Sequence, residues 1–439
     1  MRNIMMAACG EAAQPLARAR AARHSGAMAS QHDIRGEALL RGAARFERRP
    51  GLLARRFAPA FHRVLDRIDA GLAAGTLTGI LPDRTSRRMG ARAPGFDVTV
   101  TIHDWRALLR LATNGSIGWY QAWEAGEWSS DDPVSLFALF NANAATLGGT
   151  ARGKGPWRWL ARAAHWLNRN SKAGAQRNIH AHYDLGNDFY AAWLDETMSY
   201  SSAFALEAGD LAAAQHRKWA QLAARLGVPD TLLEIGCGWG ALADHFDRNG
   251  SQVTAISLSD EQLAWARERQ SPAIEFRKQD YRDVSGQYDA IVSVEMVEAL
   301  GREYWPDFMD CVARNLKPGG RAAIQYISMR DDLFDAYAAS ADFIQAYIFP
   351  GGLLIRTSEF RQLAEARGLS WNSQSDFGLD YAETLRLWRE RFDMAAAEGR
   401  LPAGFDDRFI RLWRYYLMYC EGGFRGGGID VHQVTLVKQ

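Results

Sequence analysis

Hydrophobic positions change their period along this chain, and each change marks an element. Phe61 to Leu72 repeats at helical spacing, whereas Phe96-Asp-Val-Thr-Val-Thr-Ile102 alternates as a half-buried strand does. Trp105 to Ala112 returns to the helical period, with Asn114-Gly115 as its stop. A stretch rich in aromatic and small residues runs from Ser116 to Trp128, and Asp131-Asp132-Pro133 then starts another helix with proline near its first turn. These elements predict a small mixed α/β domain over residues 45–150, preceded by a mobile tail at 1–44. Between 151 and 180, Leu160, Ala163, Ala164 and Leu167 share one helical face. From 181 to 439 short apolar runs take over: Thr231–Ile235, Val253–Ile256, Ala290–Val294, and Arg321–Ile327 after the turn Lys317-Pro-Gly-Gly320. Helical stretches lie between them, which implies a mainly parallel sheet covered on both faces.

Composition adds one asymmetry. Hydrophobic residues make up 47% and charged residues 23% of the 439, which excludes a disordered or fibrous chain. The net charge of +1 divides unevenly: residues 1–180 hold 26 Lys+Arg against 13 Asp+Glu, and the remainder carries the acidic excess. A basic half of this kind suits an anionic surface. Residues 151–180 concentrate the effect, with seven Arg/Lys, no acidic residue, and Trp157, Trp159 and Trp166. A cationic amphipathic helix carrying Trp lies in a lipid headgroup layer; a linker helix with a solvated face has the same pattern. No nucleic-acid module is visible, so lipid ranks above nucleic acid as the partner. Cys9, Cys237, Cys311 and Cys420 form no CxxC pair and no metal-ligand spacing with His, so no metal site is expected and the thiols read as free in a reducing compartment. No apolar run approaches the ~18–20 residues that span a bilayer. The expectation is a cytoplasmic protein, peripheral at the inner membrane surface, with a homodimer left open.

The chemistry-bearing motif is Leu233-Glu-Ile-Gly-Cys-Gly-Trp-Gly240. It places Gly236, Gly238 and Gly240 between a strand and a helix, where glycine permits a tight turn and a close ligand approach. The spacing is G-x-G-x-G rather than the G-x-G-x-x-G of nicotinamide binders, and no phosphate-binding Lys follows. Glu234 suits a ligand with an ammonium group, which favours S-adenosylmethionine. Asp280, in Gln279-Asp280 after the third strand, is placed to accept from an adenine amino group.

Further motifs widen the match. They are His182-Tyr-Asp-Leu-Gly-Asn-Asp-Phe-Tyr190, Met198-Ser-Tyr-Ser-Ser202, Leu258-Ser-Asp-Glu-Gln262, Gln279-Asp-Tyr-Arg-Asp283, Tyr347-Ile-Phe-Pro-Gly-Gly352 and Tyr415-Tyr-Leu-Met-Tyr-Cys420. With the glycine motif, they make residues ~178–439 resemble the cyclopropane-fatty-acyl-phospholipid synthase and mycolic acid cyclopropane synthase family. The resemblance implies a Rossmann-like class I methyltransferase sheet with helical acyl-binding insertions over 181–439. Residues ~75–145 resemble the small N-terminal domain of phospholipid-acting members. It implies cofactor contacts at Tyr200, Ser201, Gly236, Gly238, Gly240, Ser259, Gln262, Tyr281 and Arg282. Cys420 matches a cysteine often assigned to the active site, although a small buried hydrophobe lining an acyl pocket fits equally.

The implied reaction starts when the double bond of an unsaturated phospholipid acyl chain attacks the sulfonium methyl. The carbocation left on the chain then loses a proton and closes a cyclopropane ring. Tyr326, Phe343, Tyr347, Phe349, Phe377, Tyr381 and Trp388 are candidate rings beside that cation. In the family a bound bicarbonate, held by a Cys, a Glu, a His, a backbone group and a Tyr, takes the proton. Here those positions are Ser202, Glu298, Gln325, Ile327 and Tyr381. Ala299 replaces the His that usually follows the Glu, and Glu295 stands where relatives usually have Gly. Losing an imidazole and gaining a carboxylate weakens an anion site, so Glu295 or Glu298 is expected to replace bicarbonate as the base. The other placement of Glu295 is a helix cap or solvent. A changed base can change the product: ring formation is the first expectation, a methylated alkene on the same chain the alternative. A methyltransferase acting on a non-lipid small molecule is a further reading, and a non-catalytic lipid-binding relative is the last.

Overall fold

Alternation along the strands builds the smaller of two sheets. β1 (Thr76–Ile80), β2 (Ser86–Gly90), β3 (Asp97–Ile102) and β4 (Trp128–Ser129) pair in the order β2-β1-β3-β4, in a computed structural model that describes residues 35–43, 58–148, 185–206 and 209–439. Val98, Val100 and Ile102 of β3 turn inward while Asp97 and Thr99 face out. The helix Ala58–Gly71 covers the predicted span except its last residue, Leu72. The next helix does not stop at Asn114-Gly115. It runs from Arg106 to Glu124 with a kink at Gly115 (φ 57°, ψ −136°), and its second half is the aromatic stretch. A Cβ at Gly118 would lie 2.1 Å from the Arg110 carbonyl oxygen, so the kink folds the two halves too close for a side chain. Trp128 stacks on Trp119 at 4.3 Å and donates from Nε1 to its carbonyl, fastening β4 to this helix. Helix Pro133–Ala142 starts as expected, with Asp132 accepting from the Ser135 amide at 2.9 Å.

Two expectations meet different outcomes near the N-terminus. Glu37–Ala43 is helical and buries Leu39 and Leu40, so these residues are not part of the mobile tail expected over 1–44. The basic helix expected over 151–180 lies outside the described residues, as do 1–34 and the first three residues of the His182–Tyr190 motif.

The larger sheet has the order β10-β11-β9-β8-β5-β6-β7. Its strands are β5 (Thr231–Ile235), β6 (Gln252–Ser257), β7 (Glu275–Lys278), β8 (Tyr288–Val294), β9 (Leu316–Met329), β10 (Leu369–Asp376) and β11 (Ile429–Lys438). The five from β9 to β7 are parallel; β11 runs antiparallel to both β9 and β10, so the sheet is mixed. The apolar runs predicted as strands fall within β5, β6, β8 and β9. Successive strands leave β5 on opposite sides, β6 on one and β8 on the other. That reversal opens a crevice at the carboxyl end of β5, and the glycine motif sits there.

The two sheets belong to one compact unit. Helix Asp407–Arg425 joins them by lying directly on helix Pro133–Ala142. A Cβ at Gly422 would come within 2.4 Å of Phe137 Cβ, and one at Gly426 within 2.5 Å of the Ala138 carbonyl oxygen. Tyr120 packs its ring against Phe343, Tyr347 and Tyr415, with centroids 4.6–5.0 Å apart. No helix among the described residues is long and apolar enough to cross a membrane.

Candidate active site

The glycine turn is shaped by conformations that side chains resist. Gly236, Gly238 and Gly240 have φ of 85°, 53° and 82°. A Cβ on Gly236 would press to 2.8 Å from Met296 Cγ and one on Gly240 to 2.8 Å from Phe276 Cζ, whereas at Gly238 nothing lies within 4 Å. Gly238 therefore borders open space, a cavity of about 370 Å³. Asn187 fastens one rim by accepting from Trp239 Nε1 at 2.8 Å and donating to the Glu261 carbonyl.

Most of the predicted residues converge on this cavity. Tyr200, Ser201, Gly236, Gly238, Gln262, Asp280, Tyr281, Arg282, Glu295, Glu298, Tyr381 and Cys420 line it. Four stand behind its wall. Gly240 begins helix Ala241–Arg248, and Ser259 caps helix Asp260–Arg269 by accepting from the Gln262 amide. Ser202 and Gln325 are fully buried behind Glu295. Asp280 spends its carboxylate largely on Arg282, accepting from its amide, Nε and Nη2 at 2.7–3.0 Å. Of the seven rings proposed beside the cation, Phe349 and Tyr381 line the cavity, and Tyr326, Phe343, Tyr347, Phe377 and Trp388 are core. The rings facing the space include Tyr416, Tyr419 and Phe424.

The residues that line the cavity form two arms. One lies at the glycine turn. The other follows helix Asp407–Arg425, where Tyr416, Tyr419, Cys420, Gly423 and Phe424 recur at intervals that put them on one face. At 1.5 Å per residue that face extends for about 12 Å. Tyr416 and Tyr200 bond hydroxyl to hydroxyl at 2.8 Å where the arms meet. Burial, and then Asp342, raises the Cys420 thiol, so it stays protonated and acts as part of the wall.

Glu295 sits at the junction. Its Oε1 accepts from the Ser202 amide at 2.9 Å and from Gln325 Nε2 at 2.7 Å, and its Oε2 accepts from the Tyr381 hydroxyl at 2.7 Å. Neither cap nor solvent holds it. Its φ of 49° lies in the left-handed region that favours glycine, and its amide donates to the Gln325 carbonyl. Ser202 contributes its backbone, because its hydroxyl donates to the Ala203 carbonyl. A chain of side chains sets the orientation of Gln325. Arg225, a donor only, donates from Nε to Gln433 Oε1, which turns Gln433 Nε2 toward Gln325 Oε1 at 2.9 Å. The Gln325 amide nitrogen is thereby aimed at Glu295.

Glu298 lies beside this cluster with a different role. Its Oε1 accepts from the Ile327 amide, and its Oε2 has no hydrogen-bond partner. Burial first, and then the charge of Glu295, pushes its carboxyl up to about 8. Burial also raises Glu295, opposed by Lys218 and by its three hydrogen bonds. Because Glu298 holds its proton more tightly folded than unfolded, its contribution to stability is full below the ordinary carboxyl range and is lost as pH rises through about 8. Glu234, raised to about 8 by burial, acts in the same direction. The melting temperature should therefore fall between about pH 6.5 and 8; calorimetry of the wild-type chain and Glu298→Gln should show a shallower fall in the variant.

Lys218 was missed by sequence reasoning. It is 1% exposed, and its Nζ donates to Ser201 Oγ at 2.6 Å. The signal was present in helix Leu211–Leu226, where Gln215 and Lys218 interrupt an apolar stripe of Leu211, Ala214 and Leu222. Apart from the cavity, Asp376, Asp430 and His432 bring ligand-type atoms within 4.8 Å of one another, a grouping that cysteine and histidine spacing did not suggest. His432 bonds Asp376 and Ser328 at 2.6 Å each, so hydrogen bonds already knit this group.

The donor set fits a sulfonium cofactor. Gly238 leaves room for close approach, and Glu234 keeps a buried carboxylate oxygen, Oε2, without a partner at the cavity wall. Comparison with known proteins agrees. Residues 170–434, more than half of the chain, match the family described as mycolic acid cyclopropane synthetase. The chain belongs to that family. It is a methyltransferase of an S-adenosylmethionine-dependent kind that modifies fatty acyl chains. It is 37% identical over 406 residues to the tuberculostearic acid methyltransferase UfaA1 of Mycobacterium tuberculosis, covering 84% of this chain and 92% of the relative. Against the cyclopropane-fatty-acyl-phospholipid synthase of Escherichia coli it is 36% identical over 283 residues, covering 63% of this chain and 71% of the relative. The crystal structure of mycolic acid cyclopropane synthase CmaA1 with SAH and CTAB superposes with a TM-score of 0.56 at 28% identity, over 60% of this chain and 98% of that one. The match to a branching methyltransferase extends through the small sheet, so the ring expected first loses ground to the methylated alkene.

Proposed function

We propose that this family member methylates the double bond of an unsaturated phospholipid acyl chain and releases a methyl-branched alkene, with Glu295 as the base. Bound S-adenosylmethionine supplies an electrophilic methyl at its sulfonium. The chain's own residues do the rest. The arm along helix Asp407–Arg425 holds the acyl chain in an apolar, water-poor channel, and Tyr200 and Tyr416 mark where its double bond meets the glycine-turn arm. The faces of Tyr381 and Tyr416 favour a cation there. Glu295 then takes a proton from the methylated chain, leaving a carbon–carbon double bond in place of the cation.

The observation that carries this reading is the hydrogen bonding of Glu295. Ser202, Gln325 and Tyr381 occupy positions that hold bicarbonate in the family, and here their donors converge on a carboxylate attached to the backbone. A tethered anion removes the need for a diffusing one. The likeness to the tuberculostearic acid methyltransferase across both sheets supports branching over ring closure. The basic region 1–180 would bring the protein to anionic lipid on the cytoplasmic face of a membrane.

Mass spectrometry of lipids from cells expressing the protein tests the proposal. Unsaturated phospholipid chains should gain one CH2, and mild catalytic hydrogenation should then add two hydrogens. A gain of CH2 that resists hydrogenation would restore the ring, and unchanged lipids would overturn the substrate class.

A further inference from the structure

One buried cation in the cavity wall has no part in the chemistry described so far. Lys218 lies on the inner face of helix Leu211–Leu226, 1% exposed. Its Nζ donates to the Ser201 hydroxyl at 2.6 Å, and one turn earlier Gln215 Nε2 donates to the Ser201 carbonyl at 3.0 Å. The next amide in the chain, that of Ser202, donates to Glu295 Oε1. Helix, dipeptide and carboxylate thus form one continuous hydrogen-bonded path. We propose that Lys218 is a positioning residue that keeps Glu295 ionised and aimed, by holding Ser201-Ser202 against it and by placing a positive charge on the far side of that dipeptide.

This inference rests on Glu295 being the base. The charged and titratable groups around the pair come from every packed element. Lys218 faces Glu295 after β8, Glu234 on β5 and Asp195 in the loop before Met198; Glu295 faces Glu298 and Tyr381. Asp195 and Glu234 each keep one buried carboxylate oxygen without a hydrogen-bond partner. Burial pulls Lys218 down to about 8 while Glu295, Asp195 and Glu234 hold it up, so it carries its charge at neutral pH. For Glu295 the balance runs the other way: burial favours its neutral form, and Lys218 is the strongest opposing influence. Removing that charge should raise the carboxyl of Glu295 and leave less of the base ionised at neutral pH.

The test is the pH dependence of kcat for the full chain, with saturating S-adenosylmethionine and vesicles of unsaturated phospholipid. Lys218→Met should move the acid limb up by at least about one pH unit, with activity near pH 6.5 down about tenfold or more and largely recovered above pH 9. Lys218→Arg, which keeps the charge, should bring the limb back. Gln215→Met, which loosens the dipeptide without touching charge, should lower kcat at every pH and leave the limb in place. A uniform loss for Lys218→Met with an unmoved limb would overturn the proposal. A second readout needs no Lys218 variant: with Glu298→Gln as the common background, the infrared difference on adding Glu295→Gln at pH 7 should contain no protonated-carboxyl band, and such a band would overturn it too. Full turnover in Glu295→Gln would instead remove the base reading itself, so the two failures are distinguishable.

Discussion

Glu295→Gln should lower turnover by about 10²–10⁴-fold, the range that a positioned general base contributes, while S-adenosylmethionine binding stays intact. The amide keeps an acceptor for the Ser202 and Gln325 donors but takes no proton from a carbocation. Calorimetric titration with S-adenosylmethionine and a kcat measurement on the same preparation separate the two effects. Glu295→Gly sharpens the result. It removes the carboxylate from three converging donors and relieves a residue held at φ 49°. The vacated donors suit a small anion, so added bicarbonate or formate should restore activity to this variant and leave wild type unaffected. Activity in Glu295→Gly without added anion, equal to that of wild type, would show that the carboxylate does not act in proton removal.

Gly238→Val should weaken S-adenosylmethionine binding by about 100-fold or more. Nothing lies within 4 Å of the position a Cβ would take, so the side chain would project into the cavity where the cofactor comes against the turn. The φ of 53° adds strain, because a β-branched residue resists the left-handed region. The same openness spares the fold: no neighbour is displaced, and the melting temperature of the free protein should fall by only a few degrees. Titration calorimetry and a thermal melt together check this; tight binding in the folded variant would move the cofactor away from the glycine turn.

The sequence made four of the five parallel strands legible because each contains a short apolar run, whereas β7, Glu-Phe-Arg-Lys, has none; it made the glycine turn legible because three left-handed positions leave glycine as the ready choice. It was less informative wherever tertiary contact overrides local pattern. Asn114-Gly115 is a sound helix stop by propensity, yet the backbones on either side pack so closely that the helix resumes. Leu39 and Leu40 look like isolated apolar residues in an arginine-rich tail until a core receives them. Of the aromatic candidates, Phe349 and Tyr381 face the cavity and the other five are core, since a ring buried in the core and a ring facing a cavity have the same spacing. Glu295 was identifiable because it stands where the resembling family usually has glycine, among positions that the resemblance assigns to an anion. Lys218 was hidden, because a single lysine on an apolar stripe gives no sign of whether its ammonium reaches water or a buried carboxylate.

Helix Asp407–Arg425 has one face on the cavity, while Gly422 on its flank and Gly426 at its end press against helix Pro133–Ala142. Two backbones in such contact slide or tilt only together. A displacement of the small sheet is therefore carried to the cavity wall through this contact, with no hinge segment between. On the function proposed above, docking of the small sheet on lipid would bear directly on the width of the passage that receives the acyl chain.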